Sequence, residues 1–198
     1  MTMENWLYGF GGNINNYSQR EILFYMLFFS VLIYFSGKNM EKDVVRGRYF
    51  KLIRYKSYSH WWKLLCLRTF AKSIILVMFA VILFFLCSNS RIYLFDFLYA
   101  VSLWMFGLTT VNMFQLLLIN SNCGVKISFM VIMVIEVLSL YGTVFGKRVA
   151  PFLPGSFLMF RRSSFIMEGG FSWMWVIVIQ VLINVCIFIF GYRIHRRH

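Results

Sequence analysis

Five apolar runs leave this chain few ways to fold. They are residues 22–37, 69–88, 92–119, 125–145 and 171–192, and short polar breaks separate them. In hydrocarbon every backbone N–H and C=O must find its partner within the protein, so such runs are helices. Crossing a core of about 30 Å takes about 20 apolar residues. The first run, ILFYMLFFSVLIYFSG, sits near the lower limit of that length. A soluble domain would carry about 25% charged residues, whereas this chain carries 14%, with 60% hydrophobic residues. The expected fold is therefore all-α: a polytopic membrane helix bundle of about five transmembrane helices, one domain spanning residues 1–198.

The charge is as uneven as the hydropathy. Residues 38–72, KNMEKDVVRGRYFKLIRYKSYSHWWKLLCLRTFAK, hold half of the 20 Lys and Arg, opposed only by Glu41 and Asp43. Basic residues are retained on the cytoplasmic side of a membrane and face anionic headgroups. With the C-terminus inside, the 38–72 island, the turn at 120–126 and the tail place 14 Lys and Arg in the cytoplasm. Arg20, Arg91, Lys147, Arg148, Arg161 and Arg162 lie outside. The reverse topology inverts that ratio, so the expected arrangement is N-out and C-in, multi-pass. The net charge of +13 is thereby accounted for by topology and membrane lipids. No groove-reading motif surrounds the island, so no nucleic-acid partner is expected.

Taken in order, residues 1–20 mix Trp6, Tyr8, Phe10 and Tyr17 with Gly and Asn, which suits either the headgroup zone or a loose tail. The basic-then-apolar pattern of a cleaved signal is not present there, so the first span is expected to act as its own insertion signal. Within 41–58, apolar Val44, Val45, Tyr49, Phe50, Leu52 and Ile53 interleave with Arg46, Arg48, Lys51, Arg54 and Lys56. That pattern predicts a separate amphipathic helix lying along the headgroups. Ser59 is the expected N-cap of the next helix, with Trp61 and Trp62 in the interfacial belt and Lys63, Arg68 and Lys72 snorkelling to the cytoplasm. Asp96 is explained by a local pair with Arg91 or by a wet interface. Residues 147–170 contain Pro151, Pro154 and Gly155 among apolar residues; too broken to span, they predict an extracellular re-entrant segment.

Few residues invite chemistry. Cys66, Cys87, Cys123 and Cys186 show no metal or disulfide spacing. The pair Gly146-Lys147 is no phosphate loop: its spacing from Gly142 is one residue short, and Arg148 stands where Ser or Thr would bind magnesium. No cofactor is expected. His60 and Cys66 allow a nucleophile–base reading, that of a membrane peptidase, but six residues on a helix set them roughly 120° apart. Glu136, mid-span, is an expensive carboxylate. It lines a substrate path, pairs with a partner's base, or anchors a hydrogen bond. Asn112 with Gln115, and Gln180 with Asn184, share helix faces and mark helix packing or the same path.

The stretch Leu52-Ile53-Arg54-Tyr55-Lys56-Ser57, followed by Trp61-Trp62-Lys63 and a span, resembles the first cytoplasmic loop of small permease subunits of type-2 ABC exporters, of the bacteriocin and lantibiotic export or immunity kind. The broken element from Pro151 to Phe160 is similar to the re-entrant helices of that class. These permeases usually have six spans; here residues 1–20 stand in place of the first. The resemblance implies a non-catalytic subunit in a bacterial cell membrane, working as a dimer with a second copy or a related permease. A separate ABC ATPase would dock on 41–58, through Arg46, Arg48, Lys51, Arg54, Tyr55 and Lys56, and the substrate would be a peptide. The alternatives are a stand-alone membrane immunity or sensor protein and the His60/Cys66 peptidase.

Overall fold

The computed structural model describes residues 19–55, 58–87, 94–140 and 172–194. These form five α-helices: α1 (Gln19–Tyr55), α2 (Tyr58–Cys87), α3 (Leu94–Asn120), α4 (Val125–Leu140) and α5 (Trp173–Ile194). No strand occurs among the described residues. The expected re-entrant segment 147–170, residues 1–18, Arg91 and Lys56 lie outside them. Three stretches, Tyr58–Leu83, Phe95–Asn120 and Met174–Arg193, are long and apolar enough to cross a membrane by length and composition.

Helix boundaries follow the hydropathy closely except at the first break. The apolar run at 22–37 and residues 41–55 of the separate helix predicted over 41–58 form one unbroken helix of 37 residues, about 55 Å long; that helix is not among the three candidate spans. The chain's two prolines are at 151 and 154, so nothing before them removes a helical hydrogen bond. Lys, Arg, Glu, Met and Leu are strong helix formers, so the polarity of residues 38–55 changes the surroundings of the helix and not its backbone. Residues 41–55 therefore continue the axis of the apolar stretch at 22–37. The next helix begins at Tyr58, which places Ser59 inside its first turn instead of at the cap.

Pairwise contacts give the helix directions. On α1 and α4, Tyr25 meets Glu136, Tyr34 packs its ring against Phe129, and Glu41 reaches Val125. Those two helices are antiparallel. Helix α2 is antiparallel to α3, with Tyr58 joined to Asn120 and Ser73 to Asn112. It is also antiparallel to α5, through Tyr58 with Gly191 and Trp62 with Phe188. Thus α1, α3 and α5 run one way and α2 and α4 the other. Between α3 and α4 the chain reverses through Ser121–Gly124, where Asn122 takes the left-handed φ of 68°. Asn tolerates that conformation better than most residues.

Helix α3 is the centre and packs against all four others. Its candidate span is 67% buried, against 39% for α2 and 22% for α5. Yet α5 is the most apolar of the three and α3 the least. Water would impose the opposite order, because burial of apolar surface drives folding there. Lipid removes that drive, so the outermost helix is the oily one and the central helix carries the polar groups. Met174, Trp175, Leu182 and Phe190 of α5 accordingly face outward. These are features of a membrane protein.

Two apolar clusters fill the interior. One gathers Tyr25, Phe29 and Ile33 of α1, Val77, Ala80 and Val81 of α2, and Trp104 and Leu108 of α3. The other, at the basic end, gathers Met40 and Val44 with Trp61, Trp62, Leu65, Met113, Leu116 and Ile187. Trp61 and Trp62 are thus inside the protein, at 2% and 0% exposure, and not in a headgroup belt. The Trp62 indole packs where a Cβ on Gly191 would overlap it, and its Nε1–H donates to Phe188 O at 2.9 Å. An indole N–H needs such an acceptor when buried, which makes this face of α5 a better site for it than the headgroups.

Lys72 does not snorkel freely either: its Nζ is 2.6 Å from Asp43 Oδ2 on α1. The side chains are 38% and 28% exposed, so solvent screens the pair. Asp43→Asn should lower unfolding stability in detergent by less than about 1 kcal/mol, with the difference vanishing at high salt. A larger, salt-independent loss would show that the pair is more deeply enclosed than this.

Candidate functional site

A polar layer separates the two apolar clusters. On each helix it falls in sequence between cluster residues: Ser36 on α1, Thr69 and Ser73 on α2, Asn112 on α3. Asn112 Nδ2 donates to Ser73 Oγ at 2.8 Å, and that hydroxyl donates to Thr69 O at 2.9 Å. Gln115, one turn along α3 and fully buried, lies over Gly37, where a Cβ would collide with its amide. Only a glycine lets α1 approach Gln115 this closely. Asn112 and Gln115 therefore share one side of α3, which faces α2 and α1.

On the opposite flank, Asn184 Nδ2 of α5 donates to Thr110 Oγ1 at 2.9 Å and back to Gln180 O at 2.9 Å. Gln180 is itself fully buried. Polar contacts of this kind between membrane helices are worth about 0.6 kcal/mol each, and at most about 1.7. Several atoms find no partner among the described residues: Ser36 Oγ, Asn112 Oδ1, Asn184 Oδ1 and both amide ends of Gln115 and of Gln180. Burying an unpaired polar atom costs about 1–3 kcal/mol.

Glu136 sits on α4 at 2% exposure. The Tyr25 hydroxyl donates to its Oε1 at 3.1 Å, and Tyr25 is held in turn by Phe29 and Trp104, with ring centroids 6.3 and 6.5 Å away. Beside Glu136 lies a cavity of about 180 Å³, lined by Thr110, Val111, Phe114, Ile132, Ile135 and Ile183. Its wall is almost wholly apolar: the carboxylate points to Tyr25 and the aliphatic stem faces the space. Glu136 and Thr110 meet at this cavity, and Thr110 links it to Asn184. Asn112 and Gln115 lie on the α1–α2 side and do not join them.

Sequence reasoning missed Tyr25, Ser73 and Thr110. Each is an ordinary residue in an apolar run, and only the fold brings it to its partner. Arg46, Arg48, Lys51, Arg54 and Tyr55 are on the helical continuation of α1. At the basic end Glu41 Oε1 accepts from Val125 N at 3.4 Å, capping the start of α4 from another helix.

His60 and Cys66 stand in different surroundings. His60 is exposed, whereas Cys66 is buried in the cluster at the basic end. No group of three His, Cys, Asp or Glu able to hold a metal occurs among the described residues. The fold and these contacts define an all-helical membrane-type bundle with a polar interior. Comparison of the chain with protein-family models, with curated proteins and with solved structures finds no match.

Proposed function

We propose that this chain is the transmembrane subunit of an ATP-driven ABC transporter in a bacterial cell membrane, N-terminus outside and C-terminus in the cytoplasm. It exports a peptide, or clears an antimicrobial peptide from the bilayer, and ATP is hydrolysed on a separate chain docked at 41–58. Two copies, or this chain and a related permease, enclose the path.

The observation that carries this reading is the continuity of α1. A force applied near residues 46–55 acts on a rod that becomes the first span without a joint. Asp43 ties that rod to α2 through Lys72, and Glu41 ties it to the start of α4. Docking energy delivered at the basic end therefore reaches three helices at once. The unpaired amides of Gln115 and Gln180 support the same reading. Groups left unsatisfied in one helix arrangement can pair in a second, which narrows the gap between two states of a moving bundle.

The test is affinity purification from native membranes, followed by ATP hydrolysis in the recovered complex. Recovery of an ATP-binding chain is expected. The triple variant Arg48→Glu, Lys51→Glu and Arg54→Glu should insert normally and lower peptide-stimulated hydrolysis at least about tenfold, because it reverses the charge of the docking segment. If no ATP-binding chain is ever recovered, the transporter reading fails and a stand-alone immunity or sensor protein takes its place. Unchanged coupling in the triple variant overturns the docking role of 41–58.

A further inference from the structure

A shelf at the basic end of the bundle has a composition that the helix packing does not explain. It lies between α1 and the first turn of α4, encloses about 500 Å³, and is lined by Tyr34, Lys38, Glu41, Gly124, Lys126 and Ile127, with Val125 at its back. Tyr34, Lys38 and Glu41 follow at helical spacing on one face of α1. Lys38 and Lys126, one from each wall, are both exposed, and neither joins an ion pair among the described residues. The opposing charge is Glu41, and its carboxylate is engaged by the Val125 N–H. The shelf therefore carries two ammonium groups without an ion pair among the described residues against one carboxylate, a net positive charge.

Depth in the membrane narrows the ligand. The lysines stand at the level where the apolar part of α1 ends. One turn deeper, Tyr34 is 40% exposed and stacks edge-on against Phe129, with centroids 5.7 Å apart. Ile127 is 58% exposed beside it. A ligand filling this space meets positive charge at the headgroup level and oily side chains immediately below. A soluble anion satisfies only the first condition. A zwitterionic headgroup brings its own cation toward two lysines. A lipid with one uncompensated phosphodiester matches both the net charge of the shelf and its apolar floor.

We propose that this shelf is a binding site for an anionic glycerophospholipid, its phosphodiester held between Lys38 and Lys126 and its acyl chain descending over Tyr34 and Ile127. The site depends on the membrane location of the bundle and not on the transporter reading. Binding there clamps α1 to α4 across the Glu41 cap, so the lipid adds to the ties that Tyr25, Tyr34 and Glu41 already make between those helices.

The test is native mass spectrometry of the full chain, delipidated and then exposed to equal amounts of phosphatidylglycerol and phosphatidylcholine. One phosphatidylglycerol should bind in preference to phosphatidylcholine by on the order of tenfold, since each lysine near an anionic headgroup adds roughly a fivefold gain. The double variant Lys38→Gln and Lys126→Gln should abolish that preference. Both side chains are exposed, so the variant keeps its fold, which circular dichroism checks. A control variant, Lys63→Gln and Arg68→Gln, removes two exposed basic residues of α2 and should keep the preference. An equal loss in the control, or a preference that survives in the double variant, overturns the site. Displacement of the bound lipid by millimolar inorganic phosphate would assign the lysines to a free anion and overturn the lipid.

Discussion

Trp62→Ala is expected to lower the unfolding stability of the bundle in mixed detergent by about 3 kcal/mol, the low end of the range for a buried aromatic. The low end applies because lipid offers no water-transfer gain to lose; what disappears is packing and a hydrogen bond. The indole is fully buried, fills the space left by Gly191 and donates to Phe188 O. The companion variant Gly191→Ala should cost about 1–3 kcal/mol from the other side of the same contact, although alanine is the better helix former. The rigid ring has nowhere to move, so the clash outweighs the propensity. Equal stability of both variants with wild type would show that α2 and α5 are not docked through this pair.

Tyr25→Ala should cost a similar amount, about 3 kcal/mol, because Tyr25 touches Phe29, Trp104 and Glu136 together. Tyr25→Phe keeps the rings and removes only the hydroxyl. It should cost about 0.6 kcal/mol and at most about 1.7, the mean and the maximum for polar contacts between membrane helices. A double-mutant cycle with Glu136→Gln separates the hydrogen bond from the packing. A coupling near zero would mean that Glu136 relies on its other neighbours and that Tyr25 matters only as a ring.

How far the chain could be read in advance depends on which physical constraint acts locally. The runs at 92–119 and 171–192 matched α3 and α5 to within two residues because hydrocarbon thickness is a constraint on sequence length alone. The turn at Ser121–Gly124 was legible because Asn122 supplies the left-handed backbone conformation it needs. The junction at Lys38 was not. A change from apolar to basic residues marks where a membrane ends, but the backbone continues wherever no residue breaks it. The roles of Trp61 and Trp62 were hidden for a different reason. Aromatics beside lysines suit a headgroup belt equally well, and for Trp62 only the glycine on a helix more than 120 residues later makes room inside. Glu136 could be picked out as a costly charge, yet its partner Tyr25, 111 residues away, carries no local signal.

The contacts between α2 and α5 also set an order of assembly. Trp62 and Phe188 are 126 residues apart, and Tyr58 and Gly191 are 133 apart. During synthesis at about 5–20 residues per second, the second helix emerges many seconds before its acceptors on the fifth. For that interval the indole N–H and the phenol must be served by lipid headgroups, by water or by an insertion chaperone. Closure of this seam therefore waits for α5, and a ribosome stalled before α5 leaves behind a chain whose second helix is inserted but not yet covered on that face.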